Sequence, residues 1–413
     1  RYGLEIPPKA ESSLDALLAR ARCVYEILTQ QMAQIKIDKL SWVSRLEAAA
    51  VAPIAEMEHF GVPFDAKPWQ QLHEQANAEA EDLAARLFAA FKMQGVSLFA
   101  AAHEYLDSDQ QLKEVLGSLG YPLPNVRLQT LQELQAPFAA DLVRYRELRK
   151  VQAAYGEKFL QHVSQDGRIH ATFEQIGANT GRMSCHSPNL QAILGDRAHR
   201  SCFRCESGRT FVIGDYATCE LRILAQMSGD PVFTEAFLHN EDLHARVACR
   251  LFGTEVSKTL HPELRQKAKA VNFGLIYGMG PTGLAKAIDV DVKQAESLLQ
   301  QYFASFPRIR DFLHDTAVTA LKRGYCKTLT GRRLYLEASQ HQSDRASAMR
   351  IAKNMPIQGT SADITKIALA RVRRRLREIP NAMLVHTVHD ELVVECDETS
   401  AETVRAALVS EMQ

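Results

Sequence analysis

The chain has 413 residues, of which 46% are hydrophobic and 24% are charged, as in ordinary globular proteins. Its 49 basic and 49 acidic residues balance, so any nucleic-acid surface must come from local clustering of charge. The length predicts about two to four domains, and no apolar run or leader indicates a membrane span or a signal peptide. The eight cysteines are scattered, which favours free thiols in a reducing compartment. For the close pair Cys202 and Cys205, ordinary thiols are favoured over a zinc site.

The spacing of apolar residues predicts helices along most of the chain. Residues 11–60, 66–119 and 136–163 have helical periodicity, which a Gly-, Asn- and Ser-rich stretch at 177–189 then interrupts. Further helices are predicted over 219–227, 241–252, 263–277, 291–303, 309–323 and 345–378. The few predicted strands are far apart in the sequence, so helices should surround a small sheet.

Two of these strands carry acidic residues at their ends. The apolar run 210–213 leads to Asp215, and Asp390-Glu391 precedes the apolar run 392–394. Two strands of one sheet can bring Asp215 and Asp390 together, and paired carboxylates hold the two cations used in phosphoryl transfer. The alternative is that Asp390 and Glu391 form only the turn of a hairpin. A pair of acids is weak evidence in a chain that contains 49 of them.

A third stretch carries cations and aromatic residues on one helix face. The stripe consists of Arg265, Lys269, Phe273 and Tyr277, each four residues after the last. Cations suit a triphosphate, and an aromatic face suits a base or sugar. The alternative is a solvated basic turn that leads into a buried aromatic end. Gly274 and Gly278 would thin the helix face where something large approaches.

Together these stretches resemble the polymerase motifs of family A DNA polymerases, the bacterial DNA polymerase I type. The matching residues are Asp215-Tyr216 with Glu220-Leu221-Arg222, then Arg265, Lys269, Asn272-Phe273-Gly274 and Tyr277-Gly278, and finally His389-Asp390-Glu391. Further matches are Thr180-Gly181-Arg182, Pro188-Asn189-Leu190-Gln191, Arg350, Asn354 and Gln358-Gly359-Thr360. Their order is that of the family, and the likeness extends from near residue 45 to the end.

The resemblance implies an α+β fold shaped as a right hand, with an antiparallel sheet in the palm and helical fingers and thumb. The implied divisions are a tail of an exonuclease-like domain or linker at 1–50, a thumb at 51–150, a palm at 151–230 and 350–413, and fingers at 231–349.

The resemblance also implies a template-directed DNA polymerase that adds deoxynucleotides to a primer 3′ end by two-metal phosphoryl transfer. Asp215, Asp390 and the backbone carbonyl of Tyr216 would hold two Mg²⁺ ions, with Mn²⁺ as an alternative. Glu391 would be auxiliary. The implied partners are primer-template DNA and deoxynucleoside triphosphates, with no membrane. We expect a monomer in the cytoplasm of a bacterial or phage-infected cell, with an organelle as the alternative.

The implied nucleotide contacts come mostly from the stripe. Arg265 and His244 would bind the β- and γ-phosphates, and Lys269 would lie near the α-phosphate and protonate the departing pyrophosphate. Phe273 and Tyr277 would flank the sugar and the nascent base pair.

The implied sugar and DNA contacts come from separate motifs. Glu220, held by the hydroxyl of Tyr277, would exclude ribonucleotides; the alternative is that Glu220 merely pairs with Arg222 or another surface base. The implied DNA contacts are Arg182 and Gln358 at the minor groove near the primer end, with Asn189, Gln191, Arg350, Asn354 and His389 along the primer-template.

Two other functions remain open at this stage, a relative that uses ribonucleotides and a catalytically silent DNA-binding module. We expect no proofreading from this chain, because the acids of residues 1–50 are spread along predicted helices with no strand to gather them. For the arginine run at 371–377, a solvated helix face is favoured over a DNA contact.

Overall fold

The computed structural model of the chain describes residues 14–93, 102–193, 195–276, 278–336 and 342–413. Contacts among the described residues divide it into two compact units. The first comprises Arg1–Glu56, Phe173–Ser184 and Val212–Gln413, and the second comprises Met57–Thr172 and Cys185–Phe211. Across the described residues, no helix combines the length and the apolar character needed to cross a membrane.

The elements are labelled in chain order. The α-helices are α1 (Leu14–Ile37), α2 (Ser41–Phe60), α3 (Ala66–Met93), α4 (Ala102–Asp107), α5 (Asp109–Ser118), α6 (Leu128–Gln132), α7 (Ala139–Tyr155), α8 (Glu157–Leu160), α9 (Arg197–Arg200), α10 (Cys219–Ser228), α11 (Pro231–Leu238), α12 (Leu243–Phe252), α13 (Pro262–Ile276), α14 (Pro281–Ile288), α15 (Val292–Ser305), α16 (Pro307–Arg323), α17 (Gln342–Leu376) and α18 (Ala401–Glu411). The strands are β1 (Val62–Pro63), β2 (Arg168–Ile169), β3 (Thr172–Glu174), β4 (Ser184–His186), β5 (Arg209–Asp215), β6 (Tyr325–Lys327), β7 (Arg333–Tyr335), β8 (Met383–Val388) and β9 (Glu391–Asp397).

A three-stranded sheet in the order β5-β9-β8 forms the centre of the first unit. Strands β8 and β9 are an antiparallel hairpin in which Val388 pairs with Glu391, so its loop contains only His389 and Asp390. His389 has a φ of 56°, in the left-handed region that tight hairpin turns use. The predicted strand pair is therefore present. The alternative of a turn formed by Asp390 and Glu391 holds for Asp390 alone, because Glu391 is the first residue of β9.

Helices α10 to α16 build the largest core of the first unit. The buried side chains include Leu224 of α10, Val271 of α13 and Tyr302 of α15, all almost inaccessible to solvent. Burying a side chain such as Leu224 contributes about 1.5–3 kcal/mol to stability. The second unit has a separate core between α3, α5 and α7, in which Leu87 and Leu142 are fully buried.

Most predicted helices are present, within a few residues of their predicted ends. The helices α6, α9, α11, α14 and α18 lie outside the predicted ranges. Both α11 and α14 nevertheless carry a start signal in the sequence. Pro231 follows the capping carboxylate of Asp230, and Pro281 follows Gly280; proline favours the first helical position. The division into thumb, palm and fingers stays a prediction.

A buried charge network connects distant segments of the first unit. The guanidinium of Arg332 donates to Asp363, with Nε 2.8 Å from Oδ1, and also to Glu47. Lys366 donates to the same Glu47 carboxylate at 2.8 Å. Asp363 is fully buried and accepts a further bond from Thr328 at 2.9 Å. Each charge is therefore paired, which a buried ion requires.

Asp363→Ala should lower the free energy of unfolding by about 3–5 kcal/mol, because it leaves the Arg332 charge buried without this partner. Asp311→Ala is the control variant, because Asp311 pairs with Arg310 on the surface. Losing such an exposed pair costs about 0–1 kcal/mol. Urea unfolding measures both variants. Equal losses in the two variants would show that the network contributes nothing to stability.

Candidate active site

The acidic pair predicted from the sequence is brought together by the central sheet. Asp215 is the last residue of β5, and β9, which begins directly after Asp390, is the neighbouring strand. The backbone N–H of Tyr216 donates to the carbonyl oxygen of Asp390 at 3.4 Å. Two acids from distant parts of the sequence therefore lie at one end of the same pair of strands.

The two carboxylates interact unfavourably. Burial raises the pKa of Asp215, and the negative charge of Asp390 raises it further. Both effects disfavour two ionised carboxylates side by side. A cation bound between the carboxylates would instead favour their ionised forms. Burial also raises the pKa of Tyr216 to about 12, so this side chain stays neutral at physiological pH.

The donor atoms fit Mg²⁺, which prefers oxygen ligands and is commonly held by one or two carboxylates together with substrate phosphates. In the described parts of the chain, no cluster of three or more His, Cys, Asp or Glu side chains has metal-binding geometry. A metal at Asp215 and Asp390 would therefore depend on further oxygen atoms from the backbone, substrate or water. Glu391, at the start of β9, is half-buried, and His389 is exposed.

Glu220 lies in the first turn of α10 and is 6% exposed. Its Oε1 accepts a hydrogen bond from Arg182, whereas its Oε2 is buried and has no partner among the described residues. Arg222 instead donates to the backbone of Ala217. The alternative partner Arg222 is therefore wrong, whereas the alternative of a pair with another base is met by Arg182. The exclusion of ribonucleotides by Glu220 stays a prediction. A buried carboxylate oxygen without a partner is costly, which leaves a place for another donor.

Arg332 of the buried charge network also lies against the segment that carries Arg182. Gly181 has a φ of 89°, and a Cβ atom at this position would lie 2.6 Å from Nε of Arg332. Similarly, a Cβ atom at Gly359 would lie 2.9 Å from the carbonyl oxygen of Thr180. Only glycine permits these approaches. The close approach of Gly359 to Thr180 places residues 180–182 beside the buried Gln358.

The predicted phosphate-binding side chains surround the start of α12. Asp242 caps this helix and accepts a hydrogen bond from Nε of Arg265 at 2.7 Å. The ring of His244 is 5.7 Å from the ring of Phe273, and its Nδ1 is 3.1 Å from Nδ2 of Asn272.

The pKa of His244 is lowered to about 4, mainly by burial. The positive charges of Arg265 and Lys269 also lower it, and the negative charge of Asp242 opposes them. The ring is therefore neutral at physiological pH. Lys269 itself is exposed.

Gly274 and Gly278, which lie beside the stripe, differ in their surroundings. A Cβ atom at Gly274 would lie 3.2 Å from the sulfur of Met279, so a side chain of the protein fills this position and the interpretation is wrong there. A Cβ atom at Gly278 would lie 3.2 Å from Arg350. Gly278, Arg350 and Asn354 nevertheless line an open cleft of about 630 Å³, so space for a ligand remains beside Gly278.

The remaining predicted residues fall into three groups. Asn189 and Gln191 belong to the second unit, where the Asn189 side chain accepts a bond from the backbone N–H of Gln191 at 3.1 Å. Tyr277 lies outside the described residues. In the arginine run, Arg371 and Arg373 form ion pairs with Glu411 and Glu56. A solvated helix face in place of a DNA contact stays a prediction.

The sequence analysis missed Asp242, Asn272 in its buried role, and Tyr302. Asn272 was quoted only as part of a motif. Its contacts come from α12 and α15, which are distant in sequence. The one local signal was an aspartate at the start of the helix predicted over 241–252, where a capping residue is expected.

The fold matches that of a solved polymerase. The POL domain of Pol1 from M. smegmatis, in complex with DNA primer-template and dNTP, aligns with a TM-score of 0.86 and 33% identity over 97% of this chain and 72% of that one. The predicted right-hand polymerase fold, α+β with a small sheet, is thus confirmed.

A family model described as DNA polymerase family A matches residues 69–413. The chain belongs to this family. It is 34% identical to DNA polymerase I, thermostable, of Thermus filiformis over 100% of this chain and 50% of that protein. It is 36% identical to DNA polymerase I of Chloroflexus aurantiacus over 87% of this chain and 39% of that one. The chain thus spans half or less of these two relatives.

His244 should give the stability of the protein a measurable pH dependence. Its pKa of about 4 in the folded chain lies below the ordinary 6.5, so between these values the unfolded chain binds more protons. The free energy of unfolding should therefore fall as pH decreases through this range, and it should fall less in His244→Gln.

Urea unfolding at about pH 7 and about pH 5 tests this, since the two conditions bracket the proton uptake of the unfolded chain. His314, an exposed histidine of α16, provides the control, because His314→Gln should keep the wild-type difference. If the free energy of unfolding of His244→Gln changed between the two pH values as much as that of wild type, the lowered pKa would not belong to His244.

Proposed function

We propose that this chain is a template-directed DNA polymerase that extends a primer 3′ end with deoxynucleoside triphosphates. The observation that carries the proposal is the pair Asp215 and Asp390, which lie where the neighbouring strands β5 and β9 end and begin. Membership of DNA polymerase family A supports it, as does the likeness to a polymerase domain solved with primer-template and dNTP.

Asp215, Asp390 and the Tyr216 carbonyl would hold two Mg²⁺ ions, or Mn²⁺ as an alternative, with Glu391 in an auxiliary position. Bound there, the ions would supply Lewis-acid stabilisation of the attacking and leaving oxygens. The role of the protein is then positioning, because phosphoryl transfer requires an aligned 3′-hydroxyl and triphosphate more than covalent chemistry by the protein.

Arg265, His244 and Lys269 would bind the triphosphate. Arg265 would exchange or share its bond to Asp242, and its planar guanidinium suits two phosphate oxygens at once. Exposed Lys269 would lie nearer the α-phosphate and donate a proton to the departing pyrophosphate. His244, neutral at physiological pH, would contribute a hydrogen-bond donor without adding charge.

The nascent base pair would be held on two sides. Phe273 and Tyr277 would flank the sugar and base, while Arg182 and Gln358 would contact the minor-groove edge near the primer end. Minor-groove acceptors occupy similar positions in A·T and T·A pairs, so such contacts test pair geometry without reading sequence. The other DNA contacts would be Asn189, Gln191, Arg350, Asn354 and His389, mostly to position the backbone.

Glu220 would exclude ribonucleotides. Its buried Oε2 has no partner in the described part of the chain, which fits the expected donation from the hydroxyl of Tyr277. A carboxylate held between Arg182 and Tyr277 would occupy the space that a 2′-hydroxyl needs. Discrimination would then come from a clash with the wrong substrate.

Asp215→Ala and Asp390→Ala should each reduce primer extension at least about a thousandfold, since several kcal/mol of barrier depend on the bound metal. Primer-template affinity should stay nearly unchanged, because phosphate contacts dominate it. Asp397→Ala, at the far end of β9, is the control and should keep wild-type activity. Retention of about a tenth of the activity by either active-site variant would refute the metal role.

Glu220→Ala should raise ribonucleotide incorporation at least about a hundredfold relative to deoxynucleotides, as each 1.4 kcal/mol of lost discrimination is about tenfold. Single-nucleotide kinetics with matched substrates measure the ratio. Glu235→Ala, which removes a surface glutamate paired with Arg246, should leave the ratio unchanged. If Glu220 served only to hold Arg182, both substrates would slow equally and the ratio would not move.

Primer extension by the wild-type chain with Mg²⁺ tests the function as a whole. Template-dependent extension with deoxynucleotides supports the proposal. Extension with ribonucleotides alone would indicate a relative that uses ribonucleotides. DNA binding without any extension would indicate a catalytically silent DNA-binding module. We also propose that this chain does not proofread, so a mismatched primer end should remain intact in the same assay without nucleotides.

A further inference from the structure

A chain of three buried polar side chains connects the helices around the proposed triphosphate site. The hydroxyl of Tyr302, on α15, donates to Oδ1 of Asn272, on α13, at 3.0 Å. Nδ2 of Asn272 lies 3.1 Å from Nδ1 of His244, on α12. Tyr302 and Asn272 are completely buried, and His244 is 5% exposed. Neither Tyr302 nor Asn272 has a role in the proposed chemistry.

The hydroxyl of Tyr302 determines which way the Asn272 amide faces. Among the described residues, Asn272 is its only hydrogen-bond partner. A buried hydroxyl that only accepted would leave its own hydrogen without an acceptor, which is unfavourable. Tyr302 must therefore donate, so Oδ1 of Asn272 faces Tyr302. The amide N–H group consequently faces His244.

The amide orientation determines the tautomer of the histidine. Nδ2 of Asn272 carries only hydrogens, so Nδ1 of His244 must be the acceptor in this contact. In a neutral imidazole, the proton then resides on Nε2. We propose that Tyr302 and Asn272 are positioning residues that hold His244 as the Nε2–H tautomer, so that the ring presents a neutral N–H donor to the nucleotide triphosphate.

The surrounding charges favour the same state. Protonating His244 would place an Nδ1–H directly against the Asn272 amide hydrogens, and a cationic ring would also repel Arg265. Burial and the charge of Arg265 lower the pKa of His244 to about 4, against the opposing effect of Asp242. Since a donor on Nε2 needs no extra proton, the triphosphate contact should be insensitive to pH across the physiological range.

Two substitutions should disturb this arrangement in different ways. Asn272→Asp replaces the amide with a carboxylate that can only accept, so Nδ1 of His244 should take up the proton. Tyr302→Phe removes the donor that orients the amide, so Asn272 can turn and both tautomers should be populated. Tyr335→Phe changes an exposed tyrosine and serves as the matched control.

Nitrogen NMR of the imidazole groups in the full chain, with His244 assigned from the signal lost in His244→Gln, reads the tautomer directly. Wild type and Tyr335→Phe should show the proton on Nε2, Asn272→Asp should show it on Nδ1 or on both nitrogens, and Tyr302→Phe should show a mixture. Apart from the His244→Gln variant used for the assignment, the wild-type measurement requires no variant to fold. A proton on Nδ1 of His244 in wild type would overturn the proposal.

The consequence for the nucleotide rests on the proposed function and needs a separate measurement. In primer extension, Asn272→Asp and Tyr302→Phe should raise KM for the deoxynucleoside triphosphate, by about tenfold for Asn272→Asp, with kcat changed less. Unchanged KM in Asn272→Asp would overturn the link between tautomer and substrate. If wild type extends no primer but shows the Nε2–H signal, the proposed function fails while the tautomer assignment stands.

Discussion

The arrangement of the first unit depends on keeping two carboxylates together at one end of a small sheet. Asp215 and Asp390 repel each other, and burial adds to the cost, as the raised pKa of Asp215 shows. The sheet order β5-β9-β8 brings the two segments side by side, and the two-residue turn at His389-Asp390 sets the second acid against the first strand. A pair of divalent cations would convert this repulsion into binding energy, which gives a physical reason for such an arrangement in a polymerase.

Around this pair, several side chains proposed to bind substrate already have partners within the protein. Glu220 accepts from Arg182, and Arg265 donates to Asp242, while His244 contacts Asn272. On our proposal, substrate binding therefore exchanges or extends existing hydrogen bonds. The side chains are already held in place by the protein before the substrate binds. Side chains already held near their binding geometry lose less conformational entropy when the substrate arrives. Oε2 of Glu220, which has no partner among the described residues, is the exception, and it marks a place where a further donor is required.

Local patterns predicted most helices, both strands that carry acids, and the meeting of Asp215 with Asp390, because periodicity and strand-end acids are visible along the chain. Contacts such as Arg332 with Asp363 or Tyr302 with Asn272 were not predictable, since they join helices and loops about thirty residues apart and have no periodic signature. The surroundings of Gly274, where Met279 fills the space, were not predictable for the same reason. The sequence shows that small residues are present, whereas only the packing shows which side chain lies against them.

Counting Mn²⁺ ions by electron paramagnetic resonance is the most direct test of the proposed metal pair. The chain would be titrated with primer-template and a non-hydrolysable deoxynucleotide present. Wild type should bind about two ions per complex, the number that the two-metal arrangement requires. The Asp215→Asn and Asp390→Asn variants should each lose at least one of these ions. Undiminished binding of both ions by the double variant would contradict the assignment of the metal site to this carboxylate pair.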